Sequence, residues 1–208
     1  MKLNPFRKVH LFIIGGLIAL SPLWMQRYFK KSLPIYGQIS EFSQKNTQGE
    51  AFGSKNLLGK VWVANFIFTT CSGPCLKMSK NMASIHQSFK NLDDIRMVSF
   101  TVNPENDTPS VLKDYAEKYR ADLQKWHFLT GPREEITKLL KEDFRVGHLE
   151  DIAFHSVYFV LVDDLGRIRG YYDGTNQDRI QQLVIDLSFQ HKRSKKRQKK
   201  IKKSATSV

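Results

Sequence analysis

The sequence predicts an α/β domain in which helices flank a central mixed β-sheet. Residues 61–68 form a nearly continuous apolar run of β-forming side chains, which is typical of a strand buried on both faces. Helix and strand patterns then alternate, with helical spacing over 76–91, a strand over 95–102 and a helix from Pro109. A hairpin around 163–166 and an amphipathic helix over 178–189 close the pattern, and this order favours a mixed sheet.

The length and charge of the chain limit its function. Its 208 residues suit one domain with tails, and its hydrophobic content of 41% excludes disorder throughout. The net charge of +13 suggests nucleic-acid binding at first sight, but the charge lies at the two ends. Residues 1–33 contain six Lys or Arg and residues 192–203 contain nine, with no acidic residue in either stretch. The middle of the chain is near neutral, so we expect no nucleic-acid partner.

Each end of the chain has its own interpretation. Residues 9–26 carry no formal charge and predict one transmembrane anchor, between a short basic N-terminus (1–8) and a linker (27–37). A cleaved signal peptide is the alternative, although Pro22 would follow the cut. The domain is expected over 38–190, with a hairpin at its entry that turns near Asn46 and Gly49. Residues 191–208 predict a disordered or weakly helical basic tail, either solvated or bound to anionic lipid.

The two cysteines carry the strongest chemical signal. Cys71 and Cys75 are the only ones in the chain, and they lie where the strand 61–68 gives way to the helix 76–91. A lone close pair is a local redox or metal site rather than a disulfide framework. At a helix N-terminus the spacing i, i+4 puts both sulfurs on one side and favours their thiolate forms. This strand–helix junction is the thioredoxin-type arrangement.

Two sulfurs on one side are soft donors, which select copper(I), and one added imidazole would also suit copper(II). Zinc usually takes four ligands, and the chain has no further cysteine to supply them. A plain disulfide exchanger and a pair of buried structural thiols remain alternatives.

The histidines differ in their suitability as a third ligand. His155 directly precedes the predicted strand 156–162, and loops at the strand ends of a parallel sheet gather at one edge. His148 lies in the loop before it, where a structural or a binding role is open. The other four histidines are poorly placed by sequence: His10, His86, His127 and His191.

Three motifs occur in a specific order. The first is GKVWVANFIFTTC over residues 59–71, with the second cysteine at position 75. The second is TVNPENDTP over 101–109, followed by a helix, and the third is Phe154-His155-Ser156 entering a strand. From residue 39 to residue 187 the chain thereby resembles the Sco/SenC family of copper-assembly proteins, and an anchor before the domain also fits that family.

The resemblance implies a thioredoxin-like fold that binds one copper ion through Cys71, Cys75 and His155. It further implies a metallochaperone, not a turnover enzyme, that helps build the copper centre of cytochrome c oxidase, with the copper-bearing oxidase subunit as its partner. The expected location is a bacterial inner membrane, with a single span and the domain facing the periplasm. A membrane-anchored thiol–disulfide reductase that uses Cys71 and Cys75 as its redox pair is the alternative, and a copper-responsive sensor is a third reading.

Some positions match or depart from the family pattern in ways that bear on the site. Asp107 matches an acidic residue before Thr-Pro, which implies a role in organising the site or docking a partner, with helix capping as the alternative. Ser72 and Leu76 stand where the family often has proline, and Asn103 stands where it often has aspartate. These departures concern loop shape and partner choice more than metal binding.

Overall fold

The computed structural model describes residues 32–146 and 157–206. The chain from Pro34 onward forms a compact unit with its own core. Its elements in chain order are β1 (Gly37–Gln38), β2 (Ser43–Lys45), β3 (Ala51–Gly53), α1 (Ser54–Leu57), β4 (Val61–Ile67), α2 (Pro74–Phe89), β5 (Ile95–Thr101), α3 (Pro109–Lys118), β6 (Trp126–Leu129), α4 (Arg133–Lys138), β7 (Tyr158–Val162), β8 (Arg167–Asp173) and α5 (Gln177–Thr206). Leu139–Asp143 continue α4 as a turn of π-helix.

The six-stranded sheet has the order β1-β8-β7-β4-β5-β6. β4 is parallel to β5, which is parallel to β6, whereas β7 runs antiparallel to both β4 and β8. Every residue of β4 is buried, as its apolar sequence predicts for a central strand. The predicted mixed sheet flanked by helices is therefore confirmed, and so is the predicted entry hairpin, in which β2 pairs with β3 and Gly49 turns with a φ of 77°.

The two faces of the sheet are covered by different elements. On one face, the Phe144 ring contacts the rings of Trp62, Phe66 and Phe100, which brings the end of the π-helical turn onto the central strands. On the other face, α2 and α3 pack on β6, where His86 meets Trp126 and Tyr115 meets Phe128. Burial of such aromatic and aliphatic side chains contributes roughly 1.5–3 kcal/mol each to stability. The cysteine-bearing segment thus follows the central strand of a three-layered core.

The basic C-terminal stretch differs from the sequence expectation. Residues 191–206 are not a disordered tail, because they continue α5 as one helix from Gln177 to Thr206. Like-charge repulsion is offset by acidic residues that are remote in sequence: His191 and Lys195 contact the carboxylate of Asp94, and Arg197 contacts that of Asp164. The helix therefore remains packed on the domain beyond residue 190, where the sequence predicts a disordered tail.

The predicted transmembrane segment, residues 9–26, lies outside the described residues. Within 32–146 and 157–206, no helix is both long enough and apolar enough to cross a membrane.

Candidate metal centre

The cysteine pair lies at the end of the central strand. β4 ends at Ile67, a tight turn follows in which the Cys71 amide donates to the Phe68 carbonyl, and α2 begins at Pro74. Proline is favoured in the first turn of a helix because its fixed φ suits that position and its missing N–H is not needed there. Cys71 therefore stands in the turn and is partly exposed, whereas Cys75 stands in the first turn of α2 and is buried.

The two thiols differ in acidity. Burial raises the pKa of Cys71, but hydrogen bonds from the backbone N–H of Gly73, at 3.4 Å from Sγ, and from Cys75 outweigh it and hold that pKa below its ordinary value. Burial raises the pKa of Cys75 to about 12, and the neighbouring Cys71 sulfur raises it as well. The positive end of α2 does not offset this burial. In the metal-free protein Cys71 is thus the thiolate-forming member of the pair.

A buried hydroxyl pair lies beneath Cys75. Ser79, one helical turn further along α2, shares a hydrogen bond of 2.9 Å with the hydroxyl of Tyr115 on α3. Burial raises the pKa of Tyr115 well above its ordinary value, and negative charge on the Cys75 sulfur raises it further. These two hydroxyl groups are neutral, so neither supplies positive charge to a thiolate at Cys75.

Asp107 accepts hydrogen bonds from the turn that leads from β4 to Cys71. Its side chain is fully buried and accepts hydrogen bonds from the Thr69 amide (3.1 Å), the Thr69 hydroxyl (2.6 Å), the Thr101 hydroxyl (2.5 Å) and the Asn106 side chain (2.8 Å). The helix cap of α3 is Thr108, whose hydroxyl accepts from a backbone N–H in the first turn. Asp107 thus ties the turn after β4 to the end of β5, and its burial leaves no surface for docking.

Sequence reasoning missed the two threonines of this network. Thr69 and Thr101 each stand just at or beyond the end of a parallel strand, and β4 and β5 are aligned so that Ile67 lies opposite Thr101. Polar residues at two neighbouring strand ends were a usable signal, because such ends meet at one edge of the sheet.

The start of β7 reaches the same edge of the sheet. β7 pairs with β4 so that Val162 lies opposite Trp62 and Val160 opposite Ala64, and upstream residues of β7 therefore run towards the end of β4. The carbonyl of Val157 accepts from the Gly174 amide at 2.6 Å, and a Cβ added to Gly174 would lie 3.2 Å from Cγ of Met78 on α2. The chain thus enters β7 beside the first turns of the cysteine-bearing helix.

The histidines that the structure describes do not approach the cysteines. His86 accepts from the Asp122 amide (3.3 Å), and burial lowers its pKa. His127 stacks on the Phe52 ring, and burial lowers its pKa to about 4. His191 contacts Asp94 at the far end of the sheet. In the described ranges no group of three or more His, Cys, Asp or Glu is arranged to hold a metal ion, whereas His10, His148 and His155 lie outside those ranges.

A mixed sheet with helices on both faces and a free cysteine pair between its central strand and a helix defines a thioredoxin-like dithiol protein. Residues 36–187 match the family model SCO1/SenC. The chain belongs to the SCO1/SenC family, as its three motifs implied.

The relatives support this assignment over most of the chain. The SCO1 protein homolog of Bacillus subtilis is 31% identical over 160 residues, which cover 74% of this chain and 83% of that protein. A solved SCO1/SenC family lipoprotein from Bacillus anthracis is 34% identical, with a TM-score of 0.69 over 76% of this chain and 97% of that one. BsSco, a member of the Sco family of cytochrome c oxidase assembly proteins, is 30% identical, with a TM-score of 0.68 over 76% of this chain and 96% of that one.

Copper appears among these relatives. Arabidopsis thaliana ScoI was solved with copper bound, is 25% identical and has a TM-score of 0.60 over 72% of this chain and 97% of that one. Copper is thereby confirmed as a metal that members of this family bind. The ligand residues of the present chain remain predictions.

Proposed function

We propose that the protein binds copper through Cys71, Cys75 and His155 and carries it, as cargo, to the copper centre of a cytochrome c oxidase. The observation that carries the proposal is the pair of free thiols at one edge of the sheet, where the chain also enters β7. Two sulfurs are soft donors suited to copper(I), and an imidazole nitrogen completes a set that also suits copper(II).

The register of β7 supports His155 as the third ligand. Val160 lies opposite Ala64, so the same register continued upstream would bring position 155 opposite position 69, two residues before Cys71. Val157 is the first described residue after this loop, and two residues span at most about 7 Å. This short reach from Val157 supports His155 as the third ligand.

The ligand assignment is tested with His155→Ala, and His148→Ala from the same loop is the matched control. We expect His155→Ala to weaken copper(II) binding by more than the roughly 10–100-fold that follows loss of a group outside the ligand set. His148→Ala should bind like the unaltered protein. Titration with copper(II), followed by sulfur-to-copper absorption, measures both variants. Equal affinity of His155→Ala and the unaltered protein would remove His155 from the site.

Transfer of copper requires an exposed exchange route. Cys71 is the more exposed sulfur and Cys75 the buried one, so an acceptor's ligands would reach the ion from the Cys71 side. We expect the copper-bearing oxidase subunit to be this acceptor, which gel filtration of the copper-loaded protein with that subunit's soluble domain would test. If copper stays on the present protein although the acceptor has the higher affinity for copper, delivery is contradicted.

A second candidate function rests on the unequal acidity of the two thiols. A partly exposed cysteine that forms the thiolate, beside a buried thiol, is the arrangement of a disulfide reductase. The Cys71 thiolate would attack one sulfur of the oxidase subunit's disulfide, and the other sulfur would leave as a thiolate. Cys75 would then give its proton to that thiolate and attack the Cys71 sulfur, which releases the substrate sulfur that Cys71 had bonded, so that the substrate is reduced and a Cys71–Cys75 disulfide forms. This function would be favoured if the protein reduces such a disulfide stoichiometrically and also binds no copper when titrated with it.

We also propose that residues 9–26 anchor the protein in a bacterial inner membrane with the domain in the periplasm. The charge-free apolar stretch and its basic flanks support this placement. In cells with a permeabilised outer membrane, added protease should degrade the domain. In a separate experiment, the protein should stay with the membranes during alkaline extraction. Survival of the domain under those conditions would refute the periplasmic orientation.

A further inference from the structure

The last four turns of α5 carry an exposed row of lysines. Lys192, Lys196, Lys199 and Lys203 recur at i, i+4, i+7 and i+11, so they lie within about 60° of the helix circumference and extend over about 17 Å. All four are exposed, and none has an ion-pair partner among the residues that the structure describes. We call these four residues the lysine row.

The opposite side of the same helix is fastened to the domain. Ser194 is fully buried, and the side-chain amide of Gln198 donates to the Gly59 carbonyl at 2.9 Å. Arg197 bonds Asp164 at 2.6 Å, and Lys195 lies 2.9 Å from Asp94. These contacts fix the rotation of the helix about its axis, so the lysine row faces away from the protein rather than sampling all directions.

The fastening points also locate the row on the fold. Gly59 precedes β4, Asp94 precedes β5, and Asp164 belongs to the turn between β7 and β8. The helix therefore crosses the edge of the sheet where β4 begins, while the cysteines follow its end, about 20 Å away along the strand. The lysine row is separate from the proposed copper site.

We propose that the lysine row binds the surface of an anionic lipid bilayer and that the helix lies along that surface. Four ammonium groups in one line present a flat cationic face, which matches a plane of lipid phosphates. No acidic residue follows Asp186 in the sequence, so nothing on this segment repels such a surface. Lysine is a point charge that interacts with a diffuse anionic surface without requiring the paired geometry that arginine supplies.

A membrane is favoured over a nucleic acid or an acidic protein by the linker. β1 begins at Gly37, and the side chain of Gln38 donates to Leu165, in the same turn whose Asp164 holds Arg197. The linker thus leaves the domain near the base of the basic helix. Residues 27–36 extend at most about 35 Å, so a membrane bound by residues 9–26 would be held close to the lysine row at a high effective concentration.

The test uses residues 34–208, which form a compact unit, and a solved relative consists almost entirely of the matching domain. Without residues 9–26, binding to vesicles reports the helix alone and does not depend on copper or on the anchor. Sedimentation with vesicles of equal parts phosphatidylglycerol and phosphatidylcholine is compared with vesicles of phosphatidylcholine only. We expect the protein to bind to the anionic vesicles alone. Raising the salt concentration from about 0.1 M to about 1 M shortens the screening length from about 10 Å to about 3 Å, so binding should be lost over this range.

Two charge-matched variants separate the lysine row from net charge. The row variant carries Lys→Gln at positions 192, 196, 199 and 203, and the control carries Lys→Gln at 90, 113, 138 and 141, which are also exposed and lie outside α5. Circular dichroism checks that both stay folded. The row variant should lose at least about 100-fold in partitioning, from the summed contribution of four lysines, and the control should change less than about threefold.

Three outcomes would overturn the proposal. The first is equal loss in the two variants, which would show a general charge effect. The second is equal binding of the unaltered protein to both kinds of vesicle, or to neither. The third is tighter binding to a DNA duplex or to an acidic oxidase domain than to anionic vesicles, abolished in the row variant, which would assign the row to that partner instead.

Discussion

Selective alkylation of the cysteine pair tests the site most directly. The perturbation is a limiting amount of iodoacetamide added to the reduced, metal-free protein at pH 7. Because the thiolate is the nucleophile, the rate at each sulfur follows the fraction ionised. Burial and the Cys71 sulfur raise the pKa of Cys75 to about 12, whereas hydrogen bonds keep that of Cys71 below its ordinary value despite partial burial.

The magnitude follows from the pKa of Cys75. Raising that pKa from its ordinary value of 9.0 to about 12 lowers the thiolate fraction of Cys75 roughly 1000-fold at pH 7, and the lowered pKa of Cys71 acts in the same direction. A less basic thiolate is also less nucleophilic, and a Brønsted slope of about 0.4–0.5 returns roughly 15–30-fold. Cys71 should therefore react about 30–60 times faster than Cys75. The greater exposure of Cys71 acts in the same direction.

The assay is tandem mass spectrometry of the tryptic peptide that contains both cysteines, taken when each molecule carries at most one label. Fragment ions between positions 71 and 75 show which sulfur is modified. The same reaction in guanidinium chloride is the control, because both thiols then have ordinary pKa values and should react at similar rates. Equal labelling in the folded protein, or faster labelling of Cys75, would refute the asymmetry and with it the reductase candidate.

Three further predictions concern the residues around the site and the extended helix. Asp107→Asn leaves at least one of the buried donors around residue 107 without an acceptor and should lower the free energy of unfolding by about 2 kcal/mol. The control Asp114→Asn, on the exposed side of α3, should change that free energy by less than about 0.5 kcal/mol, and equal urea midpoints for the two variants would show that the hydrogen bonds of Asp107 do not stabilise the fold. Burial lowers the pKa of His127 to about 4 from an ordinary value of about 6.5, so the unfolded chain takes up a proton first, and the free energy of unfolding should fall by up to about 3 kcal/mol as the pH drops from about 6.5 to about 4. In His127→Gln this part of the pH dependence should vanish. Parallel curves of stability against pH for the two proteins would contradict the assignment. Truncation after Gln190 removes the partners of Asp94 and Asp164 and should lower the free energy of unfolding by about 2 kcal/mol. Truncation after Lys200 retains these partners and should be nearly neutral. Similar thermal midpoints for the two truncated proteins would show that these contacts do not contribute to stability.

Much of the fold is predictable from local patterns. The run 61–68 has no polar side chain except Asn65, and a seven-residue strand buried on both faces is the outcome. The cysteine pair is equally readable, because its position between that strand and a helix follows from the same pattern. The assignment of His155 as a ligand stays a prediction, which depends on motif resemblance and on the register of β7.

Contacts between remote segments are what the sequence does not disclose. The sequence Asp107-Thr108-Pro109 predicts a helix start capped by Asp107 or Thr108. Thr108 is the cap, whereas the Asp107 carboxylate accepts from Thr69, which stands 38 residues earlier. The basic end of α5 was misjudged for the same reason, since its repulsion was weighed without Asp94 and Asp164, which stand about 100 and 30 residues earlier in the chain. Local propensity is overridden in both cases by partners that only the folded chain brings near.

The opposite placement of the sulfurs and the lysine row makes β4 a rigid spacer between two chemically unrelated ends of the molecule. Sites that share no partners and lie this far apart usually contribute additively, so substitutions at one end should not alter the behaviour of the other. A domain lying on lipid through α5 would then hold its cysteines turned outward, at a height above the headgroups fixed by the length of one strand.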